Sequence, residues 1–116
     1  AIFGCGGDRD KTKRPIMGEL AGQLADFCVV TSDNPRSEEP MEIIGEILPG
    51  VEKTGCPFTV IEDRRAAIRY ALDNAKKGDV IVLMGKGHEN YQEIKGVKHH
   101  LDEYEEVMAY FKGTTK

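Results

Sequence analysis

The chain has 116 residues, 40% hydrophobic and 31% charged, which suits one domain with one modest core rather than two. Lys plus Arg (16) against Asp plus Glu (20) leave a net charge of −4, which argues against a general nucleic-acid binder, and no run approaches the roughly 18 apolar residues of a membrane span. Cys5, Cys28 and Cys56 form no CxxC pair, so neither a disulfide framework nor a zinc site is indicated, and without a signal segment the expectation is a soluble, cytoplasmic protein with buried thiols. Ala1, Ile2 and Phe3 are already apolar and run straight into Gly4-Cys5-Gly6-Gly7 with no initiator Met. That abrupt opening predicts a piece cut from a longer chain just before a strand.

Apolar runs alternate with helical periodicity, the pattern of an α/β domain with a largely parallel sheet. Residues 1–5 form a short buried-strand candidate, followed by a glycine- and charge-rich loop over 6–14. Pro15 opens a helix whose apolar face is Ile16, Met17, Leu20, Leu24 and Ala25. Residues 27–31 read as a second strand, and Ser32-Asp33-Asn34-Pro35-Arg36 is the loop after it. A helix over about 39–48 turns Met41, Ile44, Ile47 and Leu48 inward, and Pro49-Gly50 stops it; the acidic stretch from Glu38 to Glu52 reads as the solvated face of a helix. Residues 58–61 are the third strand. Asp63 caps a helix running to Lys77, with Ala67, Ile68, Ala71, Leu72 and Ala75 as its stripe and Gly78 at its end. Residues 79–84 (DVIVLM) are the clearest buried strand, delivering Gly85-Lys86-Gly87-His88-Glu89. A polar hairpin, 91–94 with 97–100, precedes a final helix capped by Asp102 and containing Tyr104, Val107, Met108 and Phe111.

Three loops, 6–14, 32–36 and 85–89, each follow the carboxyl end of a predicted strand. In a parallel sheet those ends share one edge, where open α/β folds bind ligands. The first loop is not a nucleotide cradle: a Walker loop ending at Lys11-Thr12 would need glycine where Asp10 and Cys5 stand, and a dinucleotide fingerprint a small residue where Arg9 stands. What remains is a Gly-Gly turn presenting Asp8, Arg9, Asp10, Lys11, Lys13 and Arg14, whose bland reading is a solvated loop of mutually neutralising charges. In the second loop Pro35 biases Asn34 toward extended backbone, and Arg36 offers a planar fork for a carboxylate; the bland reading pairs Arg36 with Glu38 or Glu39. In the third, Glu89 beside flexible glycine carbonyls suits an ammonium group. Convergence of the second and third loops would therefore hold a zwitterion, Arg36 and Asn34 on its carboxylate and Glu89 with a glycine carbonyl on its amine. Lys86 and His88 read as polar loop residues, and His99 and His100 lack ligand spacing for a metal.

GCGGDRDKTKRP, SDNPR and GKGHE, in that order and on those strand ends, resemble the C-terminal domain of the Mur ligases, in the branch that adds meso-2,6-diaminopimelate. The match spans essentially the whole chain. DNPR is its most specific part, because members that add L-lysine carry a different tetrapeptide there. The resemblance implies a three-layer, Rossmann-like domain with a mostly parallel sheet and a C-terminal hairpin and helix. It also implies an ATP-dependent amide ligase of peptidoglycan synthesis: the D-glutamate γ-carboxylate of UDP-N-acetylmuramoyl-L-alanyl-D-glutamate is phosphorylated, and the diaminopimelate amine attacks the acyl phosphate. Residues 1–116 would be the amino-acid-binding domain. The UDP-sugar domain and the central domain, with its ATP loop, magnesium and carbamylated lysine, would lie outside this chain. The family's contacts with meso-diaminopimelate fall on Arg9, Asp33, Asn34, Arg36, Gly85 and Glu89, the Arg and Asn positions on carboxylates and Gly85 with Glu89 on the distal ammonium. Asp8 matches the position that touches the nucleoside of ATP as the domains close. No catalytic residue, metal or resident cofactor is expected in this piece, which alone should be inactive. The alternative is a free-standing binding module for a small zwitterionic metabolite; a nucleotide-dependent oxidoreductase is opposed by Arg9.

Overall fold

Cys28, Val29 and Val30 carry no polar side to turn toward water, and they form the middle strand of the sheet, buried on both faces. A computed structural model of the chain, describing residues 1–84, 91–95 and 97–114, places β1 (Ile2–Phe3), α1 (Lys13–Leu24), β2 (Cys28–Val30), α2 (Pro40–Thr54), β3 (Phe58–Val60), α3 (Arg64–Asn74), β4 (Tyr91–Ile94), β5 (Val97–His100) and α4 (Glu103–Thr114) in that order. β1, β2 and β3 are parallel, with Ile2 opposite Val29, Phe3 opposite Val30, and Val30 opposite Val60. Leu83 joins the free edge of β1 through an isolated parallel bridge to Ile2, supported by Ile2 N–H to Val82 O (2.9 Å) and Met84 N–H to Ile2 O (3.0 Å). The chain thus steps one way along the sheet through α1 and α2, then jumps back across β1 after α3. Right-handed crossovers put α1 and α2 on one face and α3 on the other. Phe3, Val30, Ile44, Ile47 and Val51 form the core of the first face; Ile2, Val29 and Ala67 form that of the second. The result is the three-layer α/β domain with a mostly parallel sheet, hairpin and final helix. Among the described residues no helix is long and apolar enough to cross a membrane.

Four details correct the sequence reading. On α1, Ile16, Met17, Leu20 and Leu24 face outward, whereas Gly18, Ala21 and Gly22 are buried. The crossing with α2 is backbone against backbone: a Cβ on Gly18 would lie 2.3 Å from the Ile47 carbonyl oxygen, and one on Gly50 would lie 1.9 Å from that of Pro15. Large side chains cannot occupy such a crossing, so they point away. Secondly, Pro49 does not stop α2, which runs to Thr54 and ends at Gly55 with φ 74°. The carbonyl left without a helical partner belongs to exposed Gly45, where water serves it. Met41 on this helix is exposed, its inward place taken by Ile43 and Val51. Thirdly, α3 stops at Asn74 rather than Lys77, because Asp79 closes a turn on Lys76 with both its N–H and its carboxylate; Asp63 does cap the helix, accepting from Arg65 N–H at 3.3 Å. Lastly, residues 79–84 form no buried strand. They are the sheet edge, and Val80 is 84% exposed.

Candidate functional site

The strand jump across β1 makes a topological switch point between β1 and the Leu83 edge, and beside it the loops leaving β1 and β2 meet. Their approach is closer than side chains permit. A Cβ on Gly4 would sit 2.3 Å from Thr31 O, and one on Gly7 would sit 1.8 Å from Pro35 O, so the GCGG run serves contact between backbones. Gly7 N–H donates to Asn34 O at 2.7 Å. Arg36 Nη1 donates back to Gly7 O at 3.1 Å and Asn34 O at 3.3 Å. Gly6 separates two arginines, since a Cβ there would meet Arg36 Nη1 at 2.8 Å and Arg9 Cγ at 3.5 Å.

Asp8 and Arg36 both hold left-handed backbone, φ 55° and 54°, a conformation that costs a residue with a Cβ about 1–2 kcal/mol. Neighbours hold each in place. Asp8 N–H donates to Glu38 Oε2 at 2.6 Å, and the Asp8 carboxylate accepts from the Ser37 hydroxyl and from Ser37 N–H. Arg36 N–H donates to Glu93 O at 3.0 Å, and Lys95 N–H donates to Arg36 O at 2.5 Å, so the hairpin continues as a parallel bridge onto the second loop.

Glu38 is the hub beneath the first loop. It accepts from both Arg14 terminal nitrogens, Nη1 at 3.1 Å and Nη2 at 2.8 Å, with Lys11 Nζ at 3.7 Å. Those Arg14 bonds, then the Asp8 N–H, hold its carboxyl well below the usual range, at about 2. Arg14 itself is buried, also reaching Glu46 and Gly6 O at 3.1 Å. Neither bland reading survives intact. The first loop keeps Asp8, Arg9, Asp10, Lys11 and Lys13 in solvent but sinks Arg14, and Arg36 pairs with Glu93 at 3.7 Å while Glu38 serves Arg14 and Glu39 serves Lys95. Glu38 therefore does not belong to a solvated acidic face.

Between these loops lies a cleft of about 400 Å³ lined by Arg9, Asp10, Lys13, Asp33 and, at its base, Cys5 and Met17. Burial pushes the Cys5 thiol up to about 11, with Arg14 opposing and Asp33 reinforcing, so it is a neutral wall near pH 7. Asp10 is committed to Thr12, whose hydroxyl first and N–H second hold its carboxyl below the usual value. Of the proposed amino-acid contacts, Arg9 and Asp33 share the cleft. Asn34 and Arg36 lie behind it: Asn34 is buried with its Oδ1 accepting from Glu93 N–H at 2.9 Å. Gly85 and Glu89, like Lys86 and His88, lie outside the described residues. Mixed charge at the carboxyl edge of a sheet suits a small zwitterion. Among the described residues, no group of three His, Cys, Asp or Glu side chains is placed to hold a metal ion.

Several participants escape sequence reasoning. Gln92 Nε2 donates to Ser32 Oγ and Asp33 O, both at 2.6 Å, making the hairpin a clamp on the second loop. Arg64, completely buried, ties Glu103, Ser32 O and Met84 O together. These contacts span up to 60 residues of sequence, and no local spacing announces them.

A family model described as "Mur ligase, glutamate ligase domain" matches residues 1–87. The chain is 70% identical over 93 residues to the UDP-N-acetylmuramoyl-L-alanyl-D-glutamate–2,6-diaminopimelate ligase of Caldanaerobacter subterraneus subsp. tengcongensis, covering 80% of this chain and 19% of that protein. It is 52% identical over 116 residues to the protein of the same name from Syntrophomonas wolfei subsp. wolfei, covering 99% and 24%. A solved structure of a ligase of that name superposes with a TM-score of 0.93 at 44% identity, over 99% of this chain and 24% of the other. The chain thus spans about a quarter or less of the length of these relatives. With the three-layer fold, the paired loops beside the switch point and a matching model over most of its length, the chain belongs to the Mur ligase family, in its glutamate ligase domain.

Proposed function

We propose that this chain is the amino-acid-binding, C-terminal domain of an ATP-dependent ligase that joins meso-2,6-diaminopimelate to UDP-N-acetylmuramoyl-L-alanyl-D-glutamate in peptidoglycan synthesis. The observation that carries it is the meeting of the first two loops beside the switch point, where Arg9 and Asp33 line one cleft and Arg36 braces its back. The relatives at 70% and 52% identity are named as ligases of that activity. In this reading Arg9, Asn34 and Arg36 serve the carboxylates of diaminopimelate, with Asp33 beside them, and Gly85 and Glu89 take its distal ammonium. L-Lysine lacks the distal carboxylate, and a site built to bind that group rejects the analogue without it, a difference worth several powers of ten in selectivity.

ATP and magnesium do not fit the residues described here. The glycines of the first loop are spent on close approach to Thr31 and Pro35 and leave no phosphate cradle. We place both groups on the part of the ligase outside this chain, with Asp8 at the rim of the first loop as a nucleoside contact. This domain then brings the nucleophilic amine to an acyl phosphate formed elsewhere, and closure against that part excludes water from a hydrolysable intermediate. Such chemistry, drawing on ATP and a nucleotide sugar, belongs in the cytoplasm, and the isolated domain is inactive.

The test is Arg36→Lys in the full-length ligase. A lysine cannot reproduce the planar fork, so the KM for diaminopimelate rises by about tenfold or more while that for ATP stays near normal. Unchanged diaminopimelate kinetics removes Arg36 from the site. Calorimetry showing tighter binding of L-lysine than of meso-diaminopimelate overturns the substrate.

A further inference from the structure

The bonds that cross from Asp8 to the two residues after Arg36 form a clasp between the first loop and the second. Asp8 N–H donates to Glu38 Oε2 at 2.6 Å, Ser37 N–H donates to Asp8 Oδ2 at 3.4 Å, and the Ser37 hydroxyl donates to Asp8 Oδ1. A tight turn fixes Ser37 and Glu38 in their turn, since Glu38 N–H donates to Pro35 O at 3.0 Å and Arg14 holds the Glu38 carboxylate through both terminal nitrogens. Asp8 stands in left-handed backbone at φ 55°, a conformation unfavourable to a residue with a Cβ. Hydrogen bonds to a charged group are of a strength to offset that cost. The clasp therefore decides in which direction the chain leaves Asp8, and the next residue is Arg9.

We propose that Ser37, with Glu38, is a positioning residue for Arg9: by clasping Asp8 in its left-handed turn it aims the Arg9 side chain into the cleft that Asp33 shares. This deepens the function proposed above and rests on it, and it concerns only the carboxylate end of the amino acid. Arg9 has little else to place it. Its side chain is exposed and lines the cleft. Its Nη1 donates only to the Asp8 carbonyl oxygen, at 3.4 Å, and among the described residues no carboxylate pairs with it. A Cβ on Gly6 would meet both Arg36 Nη1 and Arg9 Cγ, so two side chains of like charge crowd one glycine and repel rather than steady each other. Arg36, by contrast, is held by its own bonds to Gly7 O and Asn34 O and by the backbone of the hairpin. The backbone is what places Arg9, and Asp8 is its joint. Water would satisfy an exposed serine nearly as well, so the Ser37 hydroxyl contributes little to stability and much to direction.

The experiment places Ser37→Ala, Ser37→Thr, Arg9→Ala and the double variant Ser37→Ala with Arg9→Ala in the full-length ligase. KM and kcat are measured for meso-diaminopimelate and for ATP, together with thermal unfolding. Ser37→Ala should raise the diaminopimelate KM by about three- to tenfold with kcat within about twofold, because one bond of the clasp is lost while both N–H bonds remain. Ser37→Thr keeps the hydroxyl and should return that KM to within about twofold of wild type. Arg9→Ala should lower kcat/KM for diaminopimelate by about tenfold or more. In that background Ser37→Ala should change it by less than about twofold, since a residue acting through Arg9 then has nothing left to aim. An equal factor from Ser37→Ala with and without Arg9, or a lowered Tm with the diaminopimelate KM unchanged, would mean that the clasp only supports the loop, and overturns the proposal. A rise confined to the ATP KM means that Ser37 serves Asp8 alone, and overturns it too. If Arg9→Ala impairs use of diaminopimelate while Ser37→Ala does not, this proposal falls and the function stands. Arg9→Ala without effect removes Arg9 from the site and the proposal with it, and a wild-type ligase that does not use meso-diaminopimelate removes both proposal and function.

Discussion

Replacing Gly18 by alanine sets two effects of opposite sign against each other on one residue. In a helix interior, glycine to alanine ordinarily stabilises by about 1 kcal/mol. On α1, however, the added Cβ would lie 2.3 Å from the Ile47 carbonyl oxygen and 3.1 and 3.2 Å from the Ile47 and Val51 methyl groups, where ordinary contact begins at 3.4 Å. The nearest atom is backbone, so no rotamer change relieves it. α1 and α2 must part by about 1 Å, and overpacking of this kind costs about 3 kcal/mol at the upper end of its range. The net expectation is a destabilisation of about 2 kcal/mol, roughly 30-fold in the folding equilibrium, or about 6–10 °C in Tm for a chain of this size. Gly45→Ala on α2 is the internal control. Nothing lies within 4 Å of its added Cβ, and it should stabilise by about 1 kcal/mol. Urea and thermal unfolding of both variants decide the matter. A Gly18→Ala chain as stable as wild type, with both helices retained, would refute the backbone-contact account of this crossing.

Glu38 titrates lower in the folded chain than its usual 4.5, at about 2, so its stabilisation is whole above pH 4.5 and is lost as pH falls toward 2. Glu38→Gln should flatten the dependence of stability on pH across that window, as urea midpoints at successive pH values will show; an unaltered slope contradicts the Arg14 pairing. Burial pushes the Cys5 and Cys28 thiols up to about 11, leaving less than about one thiolate in a thousand near pH 7.5. Both should resist Ellman's reagent in the native chain and react on unfolding, whereas reaction within minutes under native conditions counts against their placement.

Much of the domain was legible because its signals are local. The alternation of apolar runs with helical stretches is set by which residues must leave water, and it found β1, β2, β3 and the hairpin to within a residue or two. Asp63 works as an N-cap because a carboxylate one residue before a helix accepts its orphan N–H groups wherever the fold places it. The motif loops were recognisable for the same reason, and Arg9 and Asp33 do share a cleft. Where the reading went astray, the deciding neighbour was remote. Hydrophobicity assigned the face of α1 carrying Ile16, Met17, Leu20 and Leu24 to the core, yet the approach of α2 selects the face that lacks side chains. The glycine and alanine spacing at 18, 21 and 22 was the signal that would have corrected it. The same holds for residues 79–84, apolar enough for a central strand but placed at the sheet edge by the jump across β1.

By itself the sequence determined the fold class, the order of the elements and the family, since these follow from periodicity, caps and short motifs that each act over a few residues. Tertiary structure alone decided what each charge does. Arg14 and Lys13 are adjacent and chemically alike, yet one is buried on Glu38, Glu46 and Gly6 O while the other stays in solvent. Arg64 and Arg65 divide in the same way, the first buried between two loop roots and Glu103, the second on the surface beside Glu106. A buried guanidinium needs charged and carbonyl acceptors to offset its desolvation, and which segments bring them is settled by how the sheet and its helices pack.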